Sequence, residues 1–212
     1  MDVSGGERIA SGSGRASVDA FLEALGSDRP APGGGAAAAL GGALAAALVA
    51  MVGRVTAARE PSERDEMSEI ASRADQLRHR LAGLVDEDMD AYLRVLQARA
   101  KAPAGPDVER ALRGATEVPL HVTRASRDVL ALCEQIVPRA RLSAVSDLGV
   151  AAALGGGALE SGALIARVNL NELADAAFVR DSEREIEGLL AEGDGLRRRI
   201  CDMIASRMQR RG

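Results

Sequence analysis

Two carboxylates interrupt the hydrophobic pattern of this chain, and both stand where an acid could do chemistry. Asp88 follows the stripe Met67, Ile70, Ala74, Leu77, Leu81, Leu84 and precedes Tyr92 and Val95. It lies seven residues from both Leu81 and Val95, two helical turns each way, so it shares their face. Its neighbours Glu87 and Asp90 fall toward Arg80, Arg94 and solvent. A carboxylate on an apolar stripe is costly unless it is paired or used. Asp88 is therefore either half of a buried ion pair with one of the many arginines or a functional acid. Asp147 opens the segment VSDLGVAAAL and is followed by uncharged residues from Leu148 to Leu159. It is either an acid serving the N–H groups of a first helical turn or the single acid entering an apolar region.

A third feature is PAPGGG, residues 30–35. Glycines at a helix start leave free N–H groups with no side chains in the way, a geometry that holds a carboxylate or phosphate. The alternative is a tight turn that lets helices pack closely. It is not a nucleotide-binding P-loop, since no Gly-Lys-Ser/Thr follows. His79, between Arg78 and Arg80, reads as solvated, and His121, after Pro119, as a kink ligand or core residue. Neither has a metal-like partner at i+4, so no metal is expected. Asn169 and Asn171 are either polar contacts of a site or part of a helix end.

The composition limits what can position these groups. Of 212 residues 47% are hydrophobic but 1% aromatic, with 41 Ala and 23 Gly. Small side chains bury little area each, so backbones must approach closely. Base-stacking nucleic-acid platforms and aromatic-rich sandwiches or barrels are excluded. The charge is close to balanced, at −4, which argues against a nucleic-acid or polybasic membrane surface. Cys133 and Cys201 have no metal or redox spacing and read as small core residues in a reducing cytoplasm.

The pattern is helical throughout, with turn signals between helices and nothing that reads as a strand. Residues 1–16 are Gly/Ser-rich, lack an apolar signal core and read as a flexible arm; residues 17–212 form one domain. Ser17 caps a helix from Val18 to Leu25 that Gly26 stops, and a second runs from about Gly35 to Ala58. Residues 30–53 carry no charge, but Ala and Gly contribute little transfer energy, so a buried central helix is favoured over a membrane span. Pro61 sits in the first turn of a third helix ending near Arg99, and Pro106 opens a fourth to about Ile136, kinked at Pro119. Ser143 or Ser146 caps a fifth reaching about Leu173. The last, from about Asp181 to Met208, carries the stripe Ile186, Leu189, Leu190, Leu196, Ile200, Met203, Ile204. The fold class is an all-α bundle of five or six long helices. Two of them are apolar nearly all round, which predicts an oligomer that covers the excess.

Taken together and in order, these segments resemble the cyclodeaminase/cyclohydrolase family. The likeness runs through FLEALGSDRPAPGGGAAAALGGALAAALVAMVGRVT, EDMDAYLRVLQARAKAP, ATEVPLHV, VSDLGVAAAL, VNLNELADAAF and EIEGLLAEGDGL, covering residues 17–208. The resemblance implies an all-α homodimeric cytoplasmic enzyme of one-carbon folate metabolism, without metal or cofactor. Carried over, Pro32, Gly33, Gly34 and Gly35 line the folate pocket, Asp88 and Asp147 are its acids, and Ser146 and Asn169 lie nearby. The chain departs from the family where Arg54-Val55-Thr56 replaces Asn-Leu-Thr and where the first Asn of Asn-Val-x-Val-Asn is Ile165. Lysines that would hold a polyglutamate tail are missing, and Arg54, Arg59 or Arg64 stands in for them.

The activity implied is hydrolysis of the cationic 5,10-methenyl bridge of tetrahydrofolate to 10-formyltetrahydrofolate. Asp147 is expected as base and Asp88 as its electrostatic partner. Cyclodeamination of 5-formiminotetrahydrofolate, with release of ammonia, is the alternative. A folate-binding helical dimer without full activity is the third reading. Tyr92, the only tyrosine, lies one turn after Asp88 and should border the site.

Overall fold

The computed structural model describes residues 17–209; the arm expected at 1–16 lies outside them. The described residues form six α-helices and no strand: α1 Val18–Leu25, α2 Gly34–Arg59, α3 Arg64–Lys101, α4 Pro106–Ile136, α5 Val145–Leu170 and α6 Ala176–Gln209. Helix α1 is capped as read, with Ser17 Oγ accepting from Ala20 N–H. Pro61 opens a short 3₁₀ turn, Pro61–Glu63, that leads into α3. Gly105, at φ 135°, turns the chain into α4 with Pro106 in its first turn.

Two helix starts differ from expectation. Neither Ser143 nor Ser146 caps α5; a 3₁₀ turn at Leu142–Ala144 runs directly into it, with Ala144 at the cap position. Helix α6 begins at Ala176 rather than near Asp181. There the Asp175 carboxylate accepts from the N–H groups of Ala177 and Phe178, each at 3.1 Å, and satisfies the exposed first turn. Cys133 is buried as expected, whereas Cys201 is exposed on α6.

Small residues set the helix spacing. A Cβ at Gly53 would lie 2.9 Å from Met67 O, and one at Gly162 2.9 Å from Pro119 O. Glycine is thus what lets α2 meet α3, and α5 meet α4, at backbone distance. Helices α2 and α5 run antiparallel side by side. Gly34 adjoins Ile165, Gly41 adjoins Ala158 and Ala45 adjoins Gly155, so the start of α2 lies beside the end of α5. Both are long and apolar enough to cross a membrane by length and composition, and both are core helices on one side. Their other side is open: Leu44 on α2 is 51% exposed and Leu164 on α5 is 64% exposed. The α6 stripe is seated as read, with Ile186, Leu189, Leu196, Ile200 and Ile204 buried.

Candidate active site

The start of α2, the middle of α3 and the end of α5 enclose a pocket of about 310 Å³. Its walls are Pro30, Ala31 and Gly33–Gly35 from the loop and first turn of α2, Asp88, Met89 and Tyr92 from α3, and Ile165 and Asn169 from α5. The volume sits at the small end of ligand sites and suits a bicyclic ring rather than a long extended molecule.

Asp88 is the chemical centre of this pocket. It is half-buried, and no ion pair to it occurs among the described residues, so the paired-arginine reading does not hold. Its carboxylate lies directly against Gly35: a Cβ there would sit 2.6 Å from Oδ2 and closer still to Oδ1. Helix α2 has Gly33 at its cap position with no side-chain capping bond. The anion invited by the three glycines is thus the chain's own. Burial raises the Asp88 carboxyl above its ordinary 3.8, and the Ala36 backbone N–H pulls the other way. Desolvation wins because one helix-end N–H replaces only part of a lost hydration shell.

Asn169 is oriented by its own Nδ2, which donates to Ala115 O at 2.8 Å and leaves the amide oxygen for a ligand. Tyr92 is 45% exposed at the rim, so the α3 stripe opens into the pocket beyond Asp88 rather than staying buried. Pro32 is buried just behind the lining, between Ala31 and Gly33.

The remaining expected site residues are elsewhere in the chain. Arg54 is at the far end of α2, nineteen residues and about 29 Å along the helix from Gly35. It pairs there with Asp75, whose carboxyl it holds below the usual range. Ser146 and Asp147 are at the start of α5; Asp147 is about 27 Å along the helix from Ile165. Helix periodicity reports which face a residue shares, not which helix ends meet, and the antiparallel α2–α5 pair separates these groups. His79 is exposed, with Nδ1 2.8 Å from Asp75 O. His121 is half-buried, and burial together with Arg124 and Arg80 lowers its pKa; it does not line the pocket. Met89 and Ile165 were not anticipated. Met89 could have been found as the residue after Asp88, and Ile165 as the position where the chain departs from the family's Asn-Val-x-Val-Asn run.

Comparison with known proteins agrees with this architecture. A family profile described as formiminotransferase-cyclodeaminase matches residues 17–188. A methenyltetrahydrofolate cyclohydrolase of Methylorubrum extorquens is 35% identical over 205 residues, 92% of this chain and 99% of that protein. A formimidoyltransferase-cyclodeaminase of Rattus norvegicus is 32% identical over 84% of this chain, which spans 35% of that longer protein. The crystal structure of formiminotetrahydrofolate cyclodeaminase from Thermotoga maritima superposes with a TM-score of 0.85 at 28% identity, covering 91% of this chain and 97% of that one. By the profile match over most of its length, and by a relative similar from end to end, the chain belongs to the formiminotransferase-cyclodeaminase family.

Proposed function

We propose that this protein is a methenyltetrahydrofolate cyclohydrolase whose general base is Asp88. The observation that carries the reading is a carboxylate without a cationic partner among the described residues, raised by burial, set in a ring-sized pocket against the bare start of α2. The full-length likeness to a protein named methenyltetrahydrofolate cyclohydrolase supports the choice of substrate. The methenyl bridge is a cation with an electrophilic carbon, so side chains and water suffice and the reading invokes no metal or cofactor. As water bonds to the bridge carbon, Asp88 takes one of its protons and the adduct becomes neutral. Asp88 then returns that proton to N5 as the N5–carbon bond breaks. The remaining hydroxyl proton passes to solvent as the formyl C=O forms on N10. A base raised toward neutrality suits both transfers. This gives Asp88 the role first expected of Asp147, which is too far along α5 to serve the same protomer's pocket.

The test is decay of the methenyl chromophore above its spontaneous rate. Turnover supports the reading, while folate binding without turnover makes the chain a folate-binding dimer. The Thermotoga neighbour keeps cyclodeamination as the second reading; ammonia released from 5-formiminotetrahydrofolate, without methenyl hydrolysis, selects it. We place Tyr92 as a ring against the bound pterin. Tyr92→Ala then raises KM about tenfold, the ~1.4 kcal/mol of one aromatic contact, and Tyr92→Phe leaves KM unchanged. Steady-state kinetics on both variants checks this, and an unchanged Tyr92→Ala sinks the placement. The enzyme is proposed to work as a cytoplasmic homodimer, with a small folate rather than nucleic acid or membrane as its ligand. The open apolar sides of α2 and α5 support the dimer, and two free cysteines suit a reducing compartment.

A further inference from the structure

We infer that Pro119, in the interior of α4 and outside the pocket, positions the pocket's Asn169: having no N–H, it leaves Ala115 O without its helical donor, and that carbonyl holds the Asn169 amide instead. The effect on catalysis rests on the folate site proposed above; the pairing of the two residues does not.

A residue inside a helix donates its N–H to the carbonyl four residues before it. Proline has no N–H, so residue 119 gives nothing to Ala115 O, and its ring crowds that carbonyl as well. Pro119 is buried, and α4 runs on past it to Ile136. The freed carbonyl therefore needs a donor from elsewhere. That donor is Asn169 Nδ2 of α5, at 2.8 Å. Two neighbouring carbonyls make the contrast. Thr116 Oγ1 donates to Leu112 O and Thr123 Oγ1 to Pro119 O, each at 2.8 Å and each from within α4. Leu112 O and Pro119 O also have a residue with an N–H four places on, namely Thr116 and Thr123. Of the three carbonyls, Ala115 O is the one whose main-chain donor is missing, and it is the one that takes a side chain from another helix.

The packing of α5 on α4 delivers that side chain. Gly155, Gly162 and Asn169 are seven residues apart, two turns each, and form one stripe of α5. A Cβ at Gly155 would lie 3.3 Å from Leu130, and one at Gly162 would lie 2.9 Å from Pro119 O. The stripe thus lies against α4 and runs antiparallel to it, so its next residue, Asn169, meets the turn of α4 before Pro119. Backbone contact at Gly162 is what puts Ala115 O within reach of a side chain as short as asparagine.

The pairing sets the hydrogen-bond sense of the pocket. A carbonyl only accepts, so the amide atom facing it is the nitrogen, and Oδ1 is the atom left for the pocket that Asn169 lines with Ile165. The α5 wall therefore offers an acceptor and selects a ligand that brings an N–H to it. On the proposed reading that donor is an N–H of the folate ring. An amide not held at its nitrogen could turn over and present its NH₂ group as readily. Pro119 thus acts on the ligand without touching it.

Two measurements test this. Pro119→Ala returns an N–H to Ala115 O and frees the Asn169 amide to turn. KM for methenyltetrahydrofolate is expected to rise about tenfold, the worth of one lost hydrogen bond, with kcat unchanged because Asp88 keeps its place. Asn169→Ala raises KM alike, and the double variant raises it no further. An unchanged KM in Pro119→Ala, or losses that multiply in the double variant, overturn the proposal, since a proline that only shapes α4 acts independently of Asn169. The second measurement needs no substrate. Asn169 and Asn171 are the only asparagines in the sequence, and Asn171 is exposed. Asparagine-selective isotope labelling therefore shows two side-chain amide groups by NMR. In the wild type the Asn169 group is expected to exchange its protons with solvent about tenfold more slowly than the Asn171 group, and in Pro119→Ala the two exchange alike. Two equally fast groups in the wild type overturn the proposal even where Pro119→Ala does not fold, and protection that survives Pro119→Ala overturns it too. The expected spectra in a protein that does not hydrolyse the methenyl bridge overturn the folate reading and leave the positioning of Asn169 standing.

Discussion

Asp88→Asn is expected to lower turnover of 5,10-methenyltetrahydrofolate by about 10²–10⁴-fold, the usual worth of a positioned base, while the bundle stays folded. The substitution keeps an oxygen able to accept from the Ala36 N–H and removes only the group that takes the proton. In the wild type, kcat/KM rises with pH as Asp88 deprotonates, and because burial raises its pKa this limb lies above the ordinary 3.8. The Asn variant lacks the limb. Stability moves with the same group. The folded state holds the Asp88 proton more tightly than the unfolded chain, so that contribution is fully present below 3.8 and is lost as pH rises through the raised value. Asp88→Asn has no such loss, and its stability relative to wild type therefore grows with pH across that window. Chromophore decay corrected for the spontaneous rate, and urea unfolding on either side of the window, measure the two effects. A retained acid limb in the Asn variant would falsify the assignment of the base.

What the sequence made legible is the part governed by local rules. The α3 stripe marked Asp88 as out of place because period 3.6 puts it on the face of Leu81 and Val95. PAPGGG marked a bare helix start because glycine there leaves N–H groups without side chains. That these two features answer each other, with the carboxylate of one seated on the other, is a tertiary fact. The signal for it existed: an acid on an apolar stripe and a helix start wanting an anion are complementary problems. The start of α6 was missed because the acid that caps it, Asp175, is the last residue of the loop 171–175 and carries no periodic signal of its own. Arg54 could have been excluded from sequence, because nineteen residues of one predicted helix already put it about 29 Å from Gly35. Asp147 could not be placed: its distance from the pocket depends on α2 and α5 running antiparallel, and no residue in either helix states its direction relative to the other.

Gly35→Ala should cost nearly as much activity as Asp88→Asn, for a reason that separates packing from chemistry. A methyl at position 35 occupies the space of the Asp88 carboxylate, with Oδ2 at 2.6 Å. Backbone of α2 stands on one side and α3 on the other, so the carboxylate must swing out or the helices must part. Either movement takes the base off its station, and a misplacement of about 1 Å costs about 10²-fold in rate. Unlike Asp88→Asn, this substitution also overpacks a helix–helix contact, for a loss of about 1–3 kcal/mol in stability. Alanine is the better helix former, so lower stability would be the mark of the clash rather than of propensity. The double variant Gly35→Ala/Asp88→Asn should turn over no more slowly than Asp88→Asn alone, because the methyl acts on rate only through a base that is already gone. Additive losses in the double variant would mean that Gly35 serves the substrate directly, by letting the ring approach the α2 backbone. Wild-type turnover in Gly35→Ala would mean that the Asp88 carboxylate does its work from another position, and the pocket geometry argued for the base would have to be abandoned.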